Sequence, residues 1–141
     1  MLGTGRVATA KRLQELGQTF DMVVDPDALV SDLNVGMRQR VEILKALKSG
    51  ANILILDEPT GVLTPQEATQ LFEILDKLRD NGVTVLLITH KLAEIMAITD
   101  NVSIMRRGEM VGHRKTSETN PQELAELMVG RKVLLNVERP E

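Results

Sequence analysis

At residues 53–60 the chain reads ILILDEPT, and its fold class follows from this stretch. Four consecutive aliphatic residues are typical of a strand that is buried on both faces of a parallel sheet. Because Asp57 and Glu58 end the run, we expect both carboxylates at the C-terminal edge of that sheet, where α/β proteins bind ligands. The sequence therefore predicts an α/β fold with a parallel core sheet and flanking helices. An acidic turn without a catalytic role is the alternative for this pair.

A helix is predicted directly after this stretch, beginning at Thr64. Thr64 is a favourable N-cap and Pro65 suits the first helical position. Glu67 completes a capping box, in which side chains and backbone N–H groups satisfy each other. Leucines at helical spacing continue to residue 78, and Asn81-Gly82 is a typical helix stop.

A second strand is predicted over residues 83–88, and it leads to His90. The two strands and the helix between them form a βαβ unit, so the strands should run parallel. His90 is then expected on the same sheet edge as Asp57 and Glu58, where its imidazole can hydrogen-bond a phosphate or a water molecule. A purely structural histidine is the alternative.

Upstream, a short loop from Leu33 to Met37 precedes a helix that closes near Gly50. The first backbone N–H groups of a helix have no partner within the helix, and together with the helix dipole they favour an anion. Gly36 permits close approach to such an anion, although a glycine here is also typical of a simple turn. Before this loop, residues 4–17 predict an amphipathic helix that ends at its glycine.

Downstream of His90 the pattern predicts a short helix over residues 92–99, a β-hairpin over 102–111 and a last helix that is stopped by Gly130. Arg107-Gly108 supplies the hairpin turn. Arg106 and Arg107 are interpreted as solvated turn surface.

The composition restricts the class of protein. The chain has 141 residues, a net charge of -3 and no cysteine, so nucleic acid is a poor partner, and disulfides and thiolate metal sites are excluded. Aromatic residues make up 1% of the chain, which means that the core must be aliphatic. The longest apolar run, residues 83–88, is far shorter than the roughly 20 residues that a membrane-spanning helix needs.

In this order and spacing, the motifs resemble those of the ATP-binding cassette (ABC) ATPase family. Leu33 to Met37 resembles the signature loop, and Ile53 to Glu58 resembles the Walker B motif. Gly61 to Thr64 resembles the D-loop, and His90 resembles the switch histidine. The resemblance covers nearly the whole chain. It implies a partial P-loop NTPase fold with part of the helical subdomain and a C-terminal β-hairpin.

The resemblance implies a role for each motif in binding and hydrolysing ATP with Mg²⁺. Asp57 is expected to hold Mg²⁺, Glu58 to act as general base, and His90 to contact the γ-phosphate. Further nucleotide contacts are expected from two loops: Asn34, Val35, Gly36 and Met37 of the signature, and Gly61, Val62, Leu63 and Thr64 of the D-loop. In this family the signature loop serves the nucleotide that the opposing cassette holds.

The local sequence most resembles that of importers of nucleosides or simple sugars that carry two cassettes in tandem. The similarity is strongest over residues 35–43 and 56–60, and residues 126–131 are similar to the junction after a first cassette. The chain therefore resembles the C-terminal half of the first cassette. The implied domains are residues 1–49 as a helical-subdomain remnant, 50–131 as the C-terminal half of the ATPase core, and 132–141 as a tail or linker.

The implied partners are a second cassette, transmembrane permease subunits and a solute-binding receptor, which would hold the protein on the cytoplasmic face of the cell membrane. No nucleic acid is expected. The sequence departs from the family pattern at Asn34, usually Ser, and at Thr64, where many D-loops have Asp. No Gly-x-x-x-x-Gly-Lys-[Ser/Thr] phosphate loop occurs, so the chain alone is expected to bind ATP poorly and to be inactive. The alternative function is a non-enzymatic module that docks on a partner cassette or membrane subunit.

Overall fold

The computed structural model describes residues 10–12, 14, 15, 17, 18 and 34–132. At the described positions between residues 10 and 18 the backbone is helical, and the helix continues through Gln18, beyond the stop predicted at Gly17. The rest of that predicted helix, the loop before residue 34 and residues 133–141 of the predicted tail lie outside the described residues.

The remaining helices and strands follow the predicted order: a helix, the βαβ unit, a short helix, the β-hairpin and a last helix. They are α1 (Val35–Lys48), β1 (Ile53–Asp57), α2 (Pro65–Asp80), β2 (Thr84–Ile88), α3 (Leu92–Ile98), β3 (Asn101–Arg106), β4 (Glu109–Lys115), a 3₁₀ turn (Thr116–Glu118) and α4 (Pro121–Val129). They form two compact units, one ending at Thr89 and the other beginning at His90.

The first unit is built on two parallel strands. β1 and β2 pair in register from Ile53 opposite Thr84 to Asp57 opposite Ile88, so their carboxyl ends coincide. α2 joins them and packs on β2, which confirms the predicted βαβ unit. The buried apolar side chains of this unit come from α1, β1 and α2: Ile43, Leu44, Leu47, Leu54, Leu71, Ile74, Leu75 and Leu78.

The prediction that β1 and β2 are buried on both faces is wrong for the described chain. Leu54 is 7% exposed, whereas Ile55, on the opposite face, is 62% exposed. In β2, Leu86 and Ile88 are exposed as well, at 52% and 48%. Side chains alternate between the two faces of a strand, and in the part of the chain that the structure describes a layer of helices covers one face only. The aliphatic run has placed apolar side chains on a face that this layer does not reach.

The second unit packs a hairpin against two helices. β3 and β4 pair antiparallel around Arg107-Gly108, whose φ angles of 50° and 79° suit the predicted tight turn. The hairpin extends to Lys115, beyond the predicted end at residue 111. Its core consists of Ile95, Val102, Ile104 and Leu124.

The interpretation of Arg106 as solvated turn surface is wrong. It is half-buried, and Nη1 donates a hydrogen bond to the carbonyl of Leu127 at 3.3 Å, near the C-terminus of α4. α4 then ends as predicted at Gly130, which has a left-handed φ of 80°. A cation at this helix end satisfies a carbonyl that the helix leaves without a partner.

The N-terminus of α4 carries a carboxylate held by two donors. Thr119 Oγ1 donates to Glu123 Oε2 at 2.6 Å, and Arg114 Nε donates to Glu123 Oε1 at 2.8 Å. These two hydrogen bonds lower the pKa of Glu123 from its ordinary value of 4.5. Asn120 caps the same turn by accepting from the Glu123 N–H at 2.9 Å.

The Glu123 carboxylate should make the stability of the protein depend on pH on the acid side. Because its folded-state pKa is lowered, its stabilising contribution is present above the unfolded-state pKa and is lost as the pH falls through the folded-state value. We expect Glu123→Gln to lower the thermal unfolding midpoint at neutral pH, with a difference from wild type that shrinks between about pH 5 and pH 3. A Glu123→Gln difference that is constant across this range would contradict the linkage. Arg114→Gln, which removes one donor, should reproduce part of the effect.

Candidate active site

The two carboxylates of the acidic pair lie where β1 leaves the sheet. Asp57 is the last residue of β1 and pairs with Ile88, the last residue of β2. The Glu58 N–H donates to the Ile88 carbonyl at 2.8 Å, which extends the ladder by one residue. Both acidic residues are exposed. They therefore lie at the carboxyl edge of the parallel strands and are open to a ligand.

Glu58 has an uncommon backbone conformation. Its φ of 45° is in the left-handed region, which costs a non-glycine residue about 1–2 kcal/mol. Neighbouring hydrogen bonds compensate. The Glu58 carbonyl accepts from the Gly61 N–H at 3.3 Å, and the carbonyl of the buried Pro59 accepts from Gln39 Nε2 at 2.7 Å. The direction in which the Glu58 side chain leaves the backbone is thus set from several sides.

The predicted D-loop is a tight turn that leads into α2. The Leu63 N–H donates to the carbonyl of Thr60, which is buried. Thr64 accepts from the Glu67 N–H at 3.2 Å, and its own N–H donates to Glu67 Oε2 at 2.9 Å, so the predicted capping box is present. Val62 is 76% exposed at the tip of the turn. The hydroxyl of Thr64 is thereby engaged in starting α2.

The prediction of a loop up to Met37 is wrong, because residues 35–37 form the first turn of α1. Asn34 is its N-cap, and Oδ1 accepts from the Met37 N–H at 2.8 Å. One of the helix N–H groups expected to meet an anion is therefore already paired within the chain. The amide Nδ2 of Asn34 is the group of that side chain which can donate to a ligand.

Gly36 lies in the first turn of α1, and its own chain does not demand a glycine there. A Cβ atom at this position would meet Asn34 Oδ1 and the Glu67 carboxylate at 3.6 Å, an ordinary van der Waals distance. Its φ is not left-handed. The described residues therefore leave room for a Cβ atom at this position.

A cavity of about 190 Å³ lies between the N-terminal parts of α1 and α2. Asn34, Gly36 and Met37 line it from α1, and Glu67 lines it from α2. Across it, Arg40 Nη2 donates to Gln70 Oε1 at 2.9 Å. The residues at the starts of α1 and α2 therefore line the same cavity, and a hydrogen bond connects the two helices.

His90 follows β2 by two residues and is exposed. It begins the second compact unit, so its approach to Glu58 stays a prediction. Within residues 34–132 and the described positions of 10–18, His, Asp and Glu side chains form no group of three that could hold a metal ion. Asp57 fits Mg²⁺ as one carboxylate ligand, since this ion commonly takes one or two carboxylates and completes its shell with phosphate and water.

Gln39 lies in the stretch of residues 35–43 but was not predicted as a site residue, and its side chain contacts the turn after Glu58. The sequence signal that points to it is its spacing of three residues from Gly36. This spacing puts the two residues on the same face of a helix.

The chain is similar in sequence to known proteins. Residues 5–61 match the family model described as ABC transporter. The chain is 51% identical over 129 residues to the glucose import ATP-binding protein TsgD13 of Haloferax volcanii, which covers 92% of this chain and 24% of that protein. It is 49% identical over 129 residues to the nucleoside import ATP-binding protein NupA of Lactococcus lactis, covering 92% and 26%. The chain thus spans about a quarter of the length of these relatives.

Solved structures match the fold. A nucleotide-free ATP-binding cassette from an ABC transporter superposes with a TM-score of 0.72 at 20% identity, covering 89% of this chain and 51% of that one. A cassette of a transporter complex from Clostridium perfringens gives a TM-score of 0.69 at 27% identity, covering 84% and 46%. These likenesses confirm the predicted partial cassette fold. In the described residues, no helix combines the length and the apolar character needed to cross a bilayer.

Gly36→Ala should stabilise the fold. Alanine is favoured over glycine in a helix by roughly 0.5–1 kcal/mol, and the space for a Cβ atom is present. Urea denaturation measures the change. A clear loss of stability in Gly36→Ala would mean that the chain itself needs this glycine.

Proposed function

We propose that the chain is part of the ATPase domain of an ABC transporter and that the whole protein couples ATP hydrolysis to the import of a nucleoside or simple sugar. The observation that carries this proposal is the placement of Asp57 and Glu58 at the shared carboxyl edge of β1 and β2, next to a turn tied to the signature helix. The names of the relatives, a glucose importer and a nucleoside importer, support the solute class.

In this proposal the acidic pair divides the chemistry. Asp57 would hold Mg²⁺ as a carboxylate ligand, and the bound ion would neutralise charge on the phosphates. Glu58 accepts a proton from the attacking water as general base. The exposure of both residues leaves room for nucleotide and water, and the hydrogen bonds around Glu58 hold its backbone in one position.

The two loops contribute binding rather than proton transfer. Asn34, Val35, Gly36 and Met37 would approach the phosphates of a nucleotide held by an opposing cassette, with backbone N–H groups and the Asn34 amide as donors. Gly61, Val62, Leu63 and Thr64 would add further nucleotide contacts, and Val62 is exposed at the tip of their turn. His90 would donate or accept a hydrogen bond at the γ-phosphate or the water.

The remaining parts of the nucleotide site would come from residues beyond the printed sequence. This sequence contains no Gly-x-x-x-x-Gly-Lys-[Ser/Thr] motif, the element whose backbone N–H groups cradle β- and γ-phosphates. We therefore propose that residues 1–141 alone bind ATP poorly and do not hydrolyse it. A second cassette would complete the site.

The same proposal assigns partners and location. Permease subunits and a solute-binding receptor would complete the transporter, and the cassette would sit on the cytoplasmic face of the membrane through the permease. The proposed division of the chain is 1–49 in the helical subdomain, 50–131 in the ATPase core and 132–141 as tail or inter-cassette linker.

Replacing the base tests the chemistry. Glu58→Gln keeps the size of the side chain but cannot take up the proton, so hydrolysis by the complete protein should fall about 100-fold or more while ATP binding is kept. Phosphate release and nucleotide titration measure the two quantities. Hydrolysis at the wild-type rate would overturn the assignment of Glu58.

Gly36→Ala should separate stability from function. The added methyl group fits within the chain, but it would stand between α1 and an approaching phosphate. In the complete protein we expect hydrolysis to fall by at least about tenfold, which corresponds to about 1.4 kcal/mol of lost transition-state binding. The same variant should unfold no more easily than wild type. Unchanged hydrolysis would argue against phosphate contact at this loop.

A further inference from the structure

We propose that Gln39 is a positioning residue for Glu58: its side-chain amide holds the backbone after the base and ties the base to the signature helix α1. Gln39 touches neither nucleotide nor water in this role and acts through Pro59. The proposal rests on the proposed function of Glu58 as general base.

The hydrogen bond between Gln39 and Pro59 has a defined direction. Pro59 has no N–H, and its carbonyl can only accept, so the amide must present Nε2 to it, at 2.7 Å. Pro59 is buried and Gln39 is half-buried. Without this donor the buried carbonyl would lose its hydrogen-bond partner.

This hydrogen bond completes the restraint on Glu58. On the N-terminal side, the Glu58 N–H is held by the Ile88 carbonyl of β2 at 2.8 Å. On the C-terminal side, Gln39 holds the carbonyl of the next residue, Pro59, whose ring fixes φ. Few free dihedral angles remain between these two anchors, and one of them is the left-handed φ of Glu58. A conformation that is unfavourable in itself persists when its surroundings determine it in this way.

The position of Gln39 on α1 gives the restraint a second consequence. Gln39 lies about one helical turn after Gly36, and the helix between them is continuous. A shift of Asn34 and the first turn of α1 upon binding a phosphate would move Gln39 with it. The carboxylate of Glu58 would follow through Pro59, so engagement of the signature loop would be felt at the base of the same cassette.

The test uses the complete protein and compares two variants without a donor at this position. Gln39→Met keeps the length of the side chain, and Gln39→Glu replaces the donor by an acceptor. We expect kcat for ATP hydrolysis to fall about 10- to 100-fold in both, as for a misplaced catalytic group, with KM for ATP within about twofold of wild type. Gln39→Lys, which keeps a donor on a side chain of sufficient reach, should keep kcat within about threefold of wild type.

The matched control is Gln70→Met. It removes the hydrogen bond of 2.9 Å between Arg40 and Gln70, which also links α1 to α2 but does not touch the turn after Glu58. Its kcat should stay within about twofold of wild type even if its stability falls, because this exposed hydrogen bond does not restrain the turn after Glu58. An equal loss of kcat in Gln70→Met would show that any weakening of this helix contact slows hydrolysis, and would overturn the proposal.

A double-mutant comparison separates positioning from general damage. In a Glu58→Gln background there is no base to position, so adding Gln39→Met should leave the residual rate unchanged within about twofold. Additive losses, or a wild-type kcat in both Gln39→Met and Gln39→Glu while Glu58→Gln is inactive, would overturn the role of Gln39 and leave the proposed function standing. A wild-type rate in Glu58→Gln alone would instead overturn the proposed function.

Discussion

The site depends on the register between β1 and β2. Five residue pairs align from Ile53 and Thr84 to Asp57 and Ile88, and one further hydrogen bond attaches Glu58 to the end of β2. A slip of one residue would turn every side chain to the other face of the sheet. Asp57 would then leave the position that the crossover through α2 gives it. The parallel pairing thus sets the positions of the carboxylates before any loop contributes.

Helix starts then arrange the rest of the site around that edge. Asn34 caps α1, and Thr64 with Glu67 caps α2, so each loop is tied to the first turn of the helix that follows it. The Glu67 carboxylate lies beside Gly36, and Gln39 reaches the carbonyl of Pro59. The same short polar side chains that allow the helices to start also hold the two loops in place. The hydrogen bonds that cap the helices therefore also hold the site residues in place.

The exposed face of β1 and β2 is consistent with a chain that spans about a quarter of its relatives and about half of the solved cassettes. Ile55 and Leu86 have the character of core residues, yet within the described residues one helical layer covers the sheet on one side. A continuous aliphatic run is typical of a strand that is buried on both faces. Ile55 is 62% exposed and Leu86 is 52% exposed, so in the described residues this face is apolar surface in contact with solvent.

Interactions between residues that are close in the sequence determine where most helices and turns of this protein begin and end. The capping box at Thr64, the helix stops at Gly82 and Gly130 and the turn at Arg107-Gly108 depend on neighbouring residues alone, and they appear where the sequence predicts them. Three features depended on residues distant in the chain, and no local pattern contains them: the uncovered sheet face, the packing of Arg106 against the end of α4, and the contact of Gln39 with Pro59 across 20 residues. Only the tertiary structure decided these, because burial and long-range hydrogen bonds depend on which surfaces folding brings together.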